Sequence, residues 1–391
     1  MDKKKAKKVR KKVSRPVAKK ALPAPKKAVA TGSKVSSVGG LRAQIDHLDR
    51  EINQLINKRA ATALRIGKLK NSGGQRVYDP GREDEVLTNA VAANKGPLSD
   101  HAVRAIFREL ISGSRALEKV VRVAFLGPVY SFSHLAAIEK FGQSVEFVPV
   151  GSIAAVFEAV NRSQVDNGLV PIENSTDGRV ADTLEMFTRL PLKICAEVQL
   201  HIHHNLLGRC TQAEVSEVYS RPQALSQCRE WLGKNLPQAR IIEVTSTSTA
   251  AQLARDKPGA AAVASQQAAV EYGLNVLASS IEDNPRNVTR FAIIGHEIAA
   301  RTGKDKTAVM FQIPHQPGSL ADALVAFKRS KVNMTWIESF PLKGPEKGYS
   351  FFGEFEGHDS DARVKRAIAA LENKAVRMEI LGSYPRAEPI D

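Results

Sequence analysis

Residues 41–70 read LRAQIDHLDREINQLINKRAATALRIGKLK. Apolar side chains recur at Leu41, Ile45, Leu48, Ile52 and Leu55, and the alternating steps of four and three resume at Thr62, Ile66 and Leu69. This spacing predicts a single helix of about 30 residues with a heptad seam that must meet another helix. Arg59 interrupts the seam. Burying its guanidinium unpaired costs several kcal/mol, so an anion is expected there, either a carboxylate of a neighbouring helix or a ligand. Lys70 falls within about 20° of the same face and about 16 Å further along the axis. Arg42 lies about 100° round the helix from Arg59, too far to serve the same pocket in its own chain, although a paired helix from a second copy would bring it there.

Working outward, Gly73-Gly74 breaks the helix, and Asp79-Pro80 followed by Arg82-Glu83 opens a shorter one. A last helix carries Phe107, Ile111, Ser114, Glu118 and Val121 on one face, with Ser114 and Glu118 as polar members of an apolar stripe. Residues 39–121 thus read as all helix. Residues 122–300 alternate β-branched runs with Ala-rich helical runs and read as α/β. After the polar stretch Arg301–Lys306, residues 306–386 read as strand, helix, strand, strand, helix, strand, a small α+β module.

The chain is 391 residues long, 43% hydrophobic and 25% charged, which suits a multidomain globular protein and excludes collagen-like or wholly disordered chains. Three cysteines without a CxxC pair exclude a disulfide framework and suggest a reducing cytoplasm. No apolar run approaches the roughly 20 residues that span a bilayer. The net charge of +16 suggests nucleic acid, but residues 1–38 hold 14 Lys and Arg against one acid, which leaves the remainder nearly neutral. That tail has no hydrophobic period and reads as a disordered, solvated appendage or weak polyanion tether, with targeting or specific nucleic-acid binding as alternatives.

Polar clusters punctuate the α/β region. Gly127-Pro128 and Ser131 follow a buried strand, Val121–Leu126, and lead into a helix. Glu173-Asn174-Ser175 follows an apolar run at a strand end, where open α/β sheets bind ligands. Ser220 and Gln227 bracket Arg221-Pro222-Gln223-Ala224-Leu225, Thr245–Thr249 is a hydroxyl-rich helix start, and Thr289-Arg290 enters the strand Phe291–Ile294. Each of the first four alone is ordinary capping and turn chemistry. His201, His203 and His204 invite a metal, but no cysteine pair or acidic cluster completes a site, and packing is the expected role.

Taken together, these features carry three resemblances. Residues 39–121 resemble the all-helical chorismate mutases. The resemblance assigns the family's basic positions to Arg42, Arg59, Lys70 and Arg82, and its acidic and polar contacts to Asp79, Glu83, Ser114 and Glu118. It implies an intertwined dimer in which the first-helix arginine reaches the partner's site. Residues 122–300 resemble prephenate dehydratase, through Thr289-Arg290-Phe291, Glu173-Asn174-Ser175, Ser220 and Gln227. The implied fold is two α/β lobes with a cleft between them, the chain crossing near residues 198–206 and 284–290. Ser131 keeps a hydroxyl where relatives have Gly-Thr, and Tyr130 replaces a residue suited to positive φ. Residues 306–386 resemble the ACT domain, with its Gly-Ala-Leu motif as Gly318-Ser319-Leu320 and its Glu-Ser-Arg-Pro motif as Glu338-Ser339-Phe340-Pro341.

The three together imply a bifunctional cytoplasmic enzyme of phenylalanine biosynthesis, a homodimer or dimer of dimers. It would take chorismate to prephenate and on to phenylpyruvate, under feedback by phenylalanine. No cofactor, metal, membrane or nucleic-acid partner is implied beyond weak binding by the tail. The mutase step is unimolecular and pericyclic, so it asks for cations that hold a folded diacid rather than for a base. The dehydratase step needs two carboxylates held and a leaving hydroxyl assisted. The resemblance gives the assistance to Thr289, and Arg290 becomes a carboxylate partner if it faces the cleft. Because neighbours on a strand point to opposite faces, only one of the two reaches directly. The rival readings are a dehydratase whose helices only dimerise, a small-molecule sensor and a nucleic-acid-binding protein.

Relatives often carry Gln where this chain has Glu118, and a carboxyl donates to an ether oxygen only when protonated. Mutase turnover is therefore expected to rise toward acid pH, and Glu118→Gln to flatten that dependence. An unchanged pH profile in the variant would remove Glu118 from the ether contact.

Overall fold

The computed structural model describes residues 37–71, 78–341 and 348–390. Most of the basic tail and the Gly73-Gly74 break lie outside the described residues. The chain divides into two compact units, one ending at Gln54 and the other beginning at Leu55. The first contains the start of helix α1 (Val38–Asn71), where Leu41, Ile45, Leu48 and Ile52 are all exposed.

The second unit contains the rest of α1, then α2 (Pro80–Ala92) and α3 (Asp100–Ala116). Asp79 caps α2 by accepting the Arg82 N–H at 3.1 Å, and Pro80 sits where a missing N–H is harmless. Ser99 caps α3 in the same way. The predicted last helix is too long. It stops at Ala116, so Glu118 stands in the following turn and Val121 is buried beneath the first sheet.

The α/β part begins with β1 (Arg122–Leu126), α4 (Phe132–Phe141), β2 (Glu146–Val150), α5 (Ile153–Asn161), β3 (Asn167–Asn174), β4 (Gly178–Arg179), α6 (Ala181–Arg189) and β5 (Lys193–His201). The chain then crosses to a second sheet. There it forms β6 (Asn205–Gly208), β7 (Glu217–Ser220), α7 (Pro222–Gln227), α8 (Arg229–Asn235), β8 (Arg240–Glu243), α9 (Thr247–Asp256), β9 (Ala260–Ala264), α10 (Gln266–Tyr272) and β10 (Asn275–Ala278). It returns as β11 (Val288–Gly295), which inserts antiparallel between β3 and β5. Two covalent crossings therefore join the sheets, close to the expected positions.

The C-terminal module is β12 (Asp305–Gln312), α11 (Ser319–Ser330), β13 (Met334–Pro341), β14 (Tyr349–Glu356), α12 (Ala362–Glu372) and β15 (Arg377–Pro385), with sheet order β13-β14-β12-β15. The order of elements is the predicted one. Two details differ. The polar stretch before β12 is folded rather than free, because the Asp305 carboxylate accepts the Thr302 hydroxyl at 2.6 Å and the Gly303 N–H at 2.8 Å. The chain also continues past residue 386 as β16 (Pro389–Ile390), which pairs with β5 and tethers the end of the chain to the first sheet, ordered β16-β5-β11-β3-β1-β2 with β4 on β3. Among the described residues no helix is long and apolar enough to cross a membrane.

The module abuts the first sheet where β15 runs past β5. A Cβ added at Gly382 would overlap the backbone of Ile194, which only main-chain movement relieves. Gly382→Ala should cost about 1–3 kcal/mol from overpacking, read as a lower urea midpoint. A midpoint equal to wild type would show that the strands separate freely.

Candidate active sites

A cavity of about 570 Å3 opens between α1, α2 and α3. Arg59, Lys70, Asp79, Arg82, Glu83, Ser114 and Glu118 all line it, so seven of the predicted residues converge. Arg59 donates to the Leu110 carbonyl at 3.2 Å and to Ser114 Oγ at 2.9 Å. Among the described residues no carboxylate lies within ion-pair distance of it. Burial and the nearby Arg82 both push its pKa down, the mark of a cation short of anions.

Other members differ from their expected parts. Asp79 is the α2 cap, and Arg82 forms an exposed pair with Glu85 at 2.6 Å. Glu83 is buried against Arg115 at 2.6 Å, a residue the sequence did not flag. Arg115 also donates to the Phe141 carbonyl at 2.5 Å and lies over the Tyr78 and Phe141 rings. Glu83 is therefore engaged by protein, and burial raises its pKa despite that partner. Gly67 was also missed. A Cβ there would overlap the Glu118 carboxylate, so the glycine makes the space in which Glu118 rests against α1. Arg42 belongs to the first unit and is exposed.

The second cavity, about 940 Å3, is the cleft between the first and second sheets. Ser131, Asn174, Gln227 and Thr289 line it. Ser131, Ser152 and Ser246 cap α4, α5 and α9, so three helix N-termini border the cleft. At the loop before α4, Tyr130 adopts φ +63°, and its N–H donates to His134 Nδ1 at 3.0 Å. The chain thus keeps the left-handed path without a glycine, at a strain of about 1–2 kcal/mol.

A hydrogen-bond relay fixes the cleft's polar groups. Asn174 Oδ1 accepts the backbone N–H groups of Thr176 (2.9 Å) and Asp177 (3.0 Å), which settles the amide's orientation. Its Nδ2 then donates to Thr289 Oγ1 at 2.8 Å and Asn287 Oδ1 at 3.0 Å. Asn287 Nδ2 donates to Gln227 Oε1 at 2.9 Å, and Gln227 Nε2 donates to Asp177 Oδ2 at 3.0 Å. His204 Nε2 meets the same Gln227 Oε1 at 3.0 Å, and burial lowers the His204 pKa and keeps the ring neutral. Because Thr289 Oγ1 accepts from Asn174, its own proton remains available to a ligand.

Four predicted cleft residues lie elsewhere. Arg290 turns to the opposite face of β11 and binds Glu173 at 2.7 Å, Glu197 at 2.8 Å and Glu354 at 2.6 Å, so it and Glu173 neutralise each other away from the cleft. Ser220 is fully buried and donates to the Val263 carbonyl at 2.6 Å. Ser175 bonds the main chain of Arg286 and Val288 at a crossing. Arg221, not predicted, supplies a cation to the cleft. Its Nε donates to Gln223 at 3.0 Å, no carboxylate is within ion-pair distance among the described residues, and burial lowers its pKa. Among the His residues, His203 pairs with Glu282 at 2.8 Å. In the module, Gly318 opens α11 at φ +85°, followed by Ser319 and Leu320, while Glu338 and Ser339 lie on the edge strand β13. Arg179 of the cleft wall reaches Glu338 at 2.5 Å.

These two cavities coincide with two family matches. The family described as chorismate mutase type II matches residues 41–119, and that described as prephenate dehydratase matches residues 123–299. The fold and its sites thus define a chain that joins a mutase part to a dehydratase part. A bifunctional chorismate mutase/prephenate dehydratase of Aquifex aeolicus is 42% identical over 352 residues, covering 89% of this chain and 97% of the relative. One from Stutzerimonas stutzeri is 39% identical over 354 residues, again 89% and 97%. Among solved structures, the prephenate dehydratase of Arthrobacter aurescens in complex with L-Phe is 33% identical with a TM-score of 0.64, covering 68% of this chain and 90% of that one. The chain belongs to the bifunctional chorismate mutase/prephenate dehydratase family.

The buried Arg115–Glu83 pair makes a prediction of its own. Arg115→Met strands Glu83, whose pKa burial then raises further. Breaking such a pair costs about 3–5 kcal/mol. The loss is full above the raised pKa and shrinks as pH falls through it, because protonated Glu83 tolerates burial. Urea unfolding should therefore show a larger deficit at pH 8 than at pH 5. An equal deficit at both would mean that Arg115 acts by packing alone.

Proposed function

We propose that this chain rearranges chorismate to prephenate in the helical cavity and converts prephenate to phenylpyruvate in the α/β cleft. The observation that carries the reading is that each cavity holds a guanidinium, Arg59 or Arg221, with no protein carboxylate in ion-pair range among the described residues. Both substrates are diacids, and a site for them must keep cations unneutralised.

In the mutase part, residues 39–121, Arg59 and Lys70 grip the substrate carboxylates and Arg82 adds positive field. Glu118 approaches the ether oxygen, and Glu83 holds Arg115 in place. Arg42 enters from a second copy of the chain. The exposed seam Leu41, Ile45, Leu48 and Ile52 supports that dimer. In the dehydratase part, residues 122–300, Arg221 and the starts of α4, α5 and α9 receive the carboxylates. Thr289 Oγ1, held by Asn174, donates its hydrogen bond to the ring hydroxyl as that group departs and CO2 leaves. Ser131 and Gln227 shape the cleft. The module, residues 306–386, is of the ACT type and takes phenylalanine at Gly318, Ser319 and Leu320 with Glu338 and Ser339. Phe340 replaces an arginine of the motif.

A coupled assay from chorismate to phenylpyruvate, with and without phenylalanine, tests the reading. Full turnover inhibited by phenylalanine is expected. Prephenate turnover without chorismate turnover would leave a dehydratase with a structural helical part, and neither would leave a sensor. In the same assay Thr289→Ala should remove most dehydratase turnover and spare the mutase. Near-normal phenylpyruvate formation would refute the role of Thr289.

A further inference from the structure

A buried cluster of charges lies behind the cleft. Arg290, with its side chain 14% exposed, is held by Glu173 on β3, Glu197 on β5 and Glu354 on β14 of the C-terminal module. Glu197 and Glu354 are all but fully buried, and Lys306 of β12 bridges them at 3.2 and 3.3 Å. Glu354 also accepts from the Tyr384 hydroxyl at 2.9 Å and the Thr335 hydroxyl at 2.9 Å. The Trp336 ring of β13 lies 5.5 Å from the guanidinium carbon. Glu354 thus bonds to β13 and β15 of its own module and to Arg290 of the dehydratase sheet.

The register gives this cluster a line to the reacting hydroxyl. Thr289 pairs with Asn174, and Arg290 with Glu173, at consecutive positions of the β3–β11 ladder. On one face Asn174 holds Thr289, and on the other Glu173 holds Arg290. The ladder slips immediately after Arg290, so this pair of rungs is separated by a bulge from the rest of the strand. On its other side β11 pairs with β5 without a break from Val288 to Ile293, so the irregularity lies against β3 alone, and there the Asn174–Thr289 and Glu173–Arg290 side-chain pairs fix how the two strands meet.

We propose that Glu354 is a positioning residue of the dehydratase, by which the C-terminal module, acting through Arg290, sets the place of the Thr289 hydroxyl in the cleft. Arg290 is the connector rather than a substrate ligand. An effector that shifts β13 or β14 moves the carboxylate on which Arg290 depends, and so alters turnover without entering the cleft. The inference rests on the dehydratase reading of the cleft.

The test uses the full chain. Glu354→Gln keeps the shape but removes the charge, and its single carbonyl oxygen can accept from Tyr384 or from Thr335, not from both. Glu354→Gln combined with Lys306→Met restores the charge balance and guards against misfolding. In both, kcat for prephenate should fall at least tenfold with KM within twofold, while chorismate turnover is unchanged. In a Thr289→Ala background, Glu354→Gln should have no further effect on kcat, because it acts through the missing hydroxyl. The inference is overturned if the charge-balanced variant keeps kcat within twofold of wild type. It is equally overturned if the Glu354 and Thr289 effects multiply independently. A wild-type chain that never turns over prephenate overturns the functional reading and this inference together, whereas an active wild type with an unaffected variant overturns this inference alone.

Discussion

A β-strand sends neighbouring side chains to opposite faces, and in β11 that alternation separates a hydroxyl lining the cleft from a largely buried, ion-paired guanidinium. Thr289 faces the cleft, where Asn174 donates to it. Arg290 faces the module, where three carboxylates hold it. The cleft needs β11 in this rotation, and the buried carboxylates make the reverse rotation prohibitive, since it would strand both charges. The same ion cluster joins β3, β5 and β11 to the module's strands, so the dehydratase sheet and the module meet at the residue that adjoins Thr289.

The relay through Asn174, Asn287 and Gln227 depends on the two crossings. Asn174 ends β3, Asn287 lies in the segment returning to β11, and Gln227 ends α7 of the second sheet. Each amide has its orientation forced by the one before it, beginning at two backbone N–H groups that can only donate. The cleft walls are therefore registered against one another by directed bonds, and Asp177 closes the path back to the first sheet.

Periodicity carried much of the architecture. Residues 306–386 have the predicted order of elements, and Asp79-Pro80 does open a helix. Local pattern failed where direction or partner was set at long range. Ser220 has the composition of a cleft residue, but it is buried because β9 lies beside it. Arg115 reads as a last-turn cation favoured by the helix dipole, and only the arrival of Glu83 from α2 makes it an interior group. β16 is two residues long and includes a proline, so no pattern announces it. Nothing in the local pattern distinguishes Gly67, whose missing side chain leaves the space that Glu118, past the end of α3, fills.

The arginines show how the fold separates charges kept for ligands from charges consumed by structure. Arg59 and Arg221 hydrogen-bond to neutral acceptors and stay partly solvated, and burial lowers the pKa of each, at Arg221 outweighing the pull of the nearby Asp177 carboxylate. Burial works against Arg290 too, but Glu197 and Glu354 outweigh it and raise its pKa. A guanidinium with no carboxylate in ion-pair range is under-compensated, and an incoming carboxylate relieves that deficit. A guanidinium ringed by three carboxylates has nothing left to offer an anion. On this criterion the guanidiniums of the two cavities are the ones left to meet an anion, whereas Arg290, which its position beside Thr289 made the natural ligand, has its charge already answered.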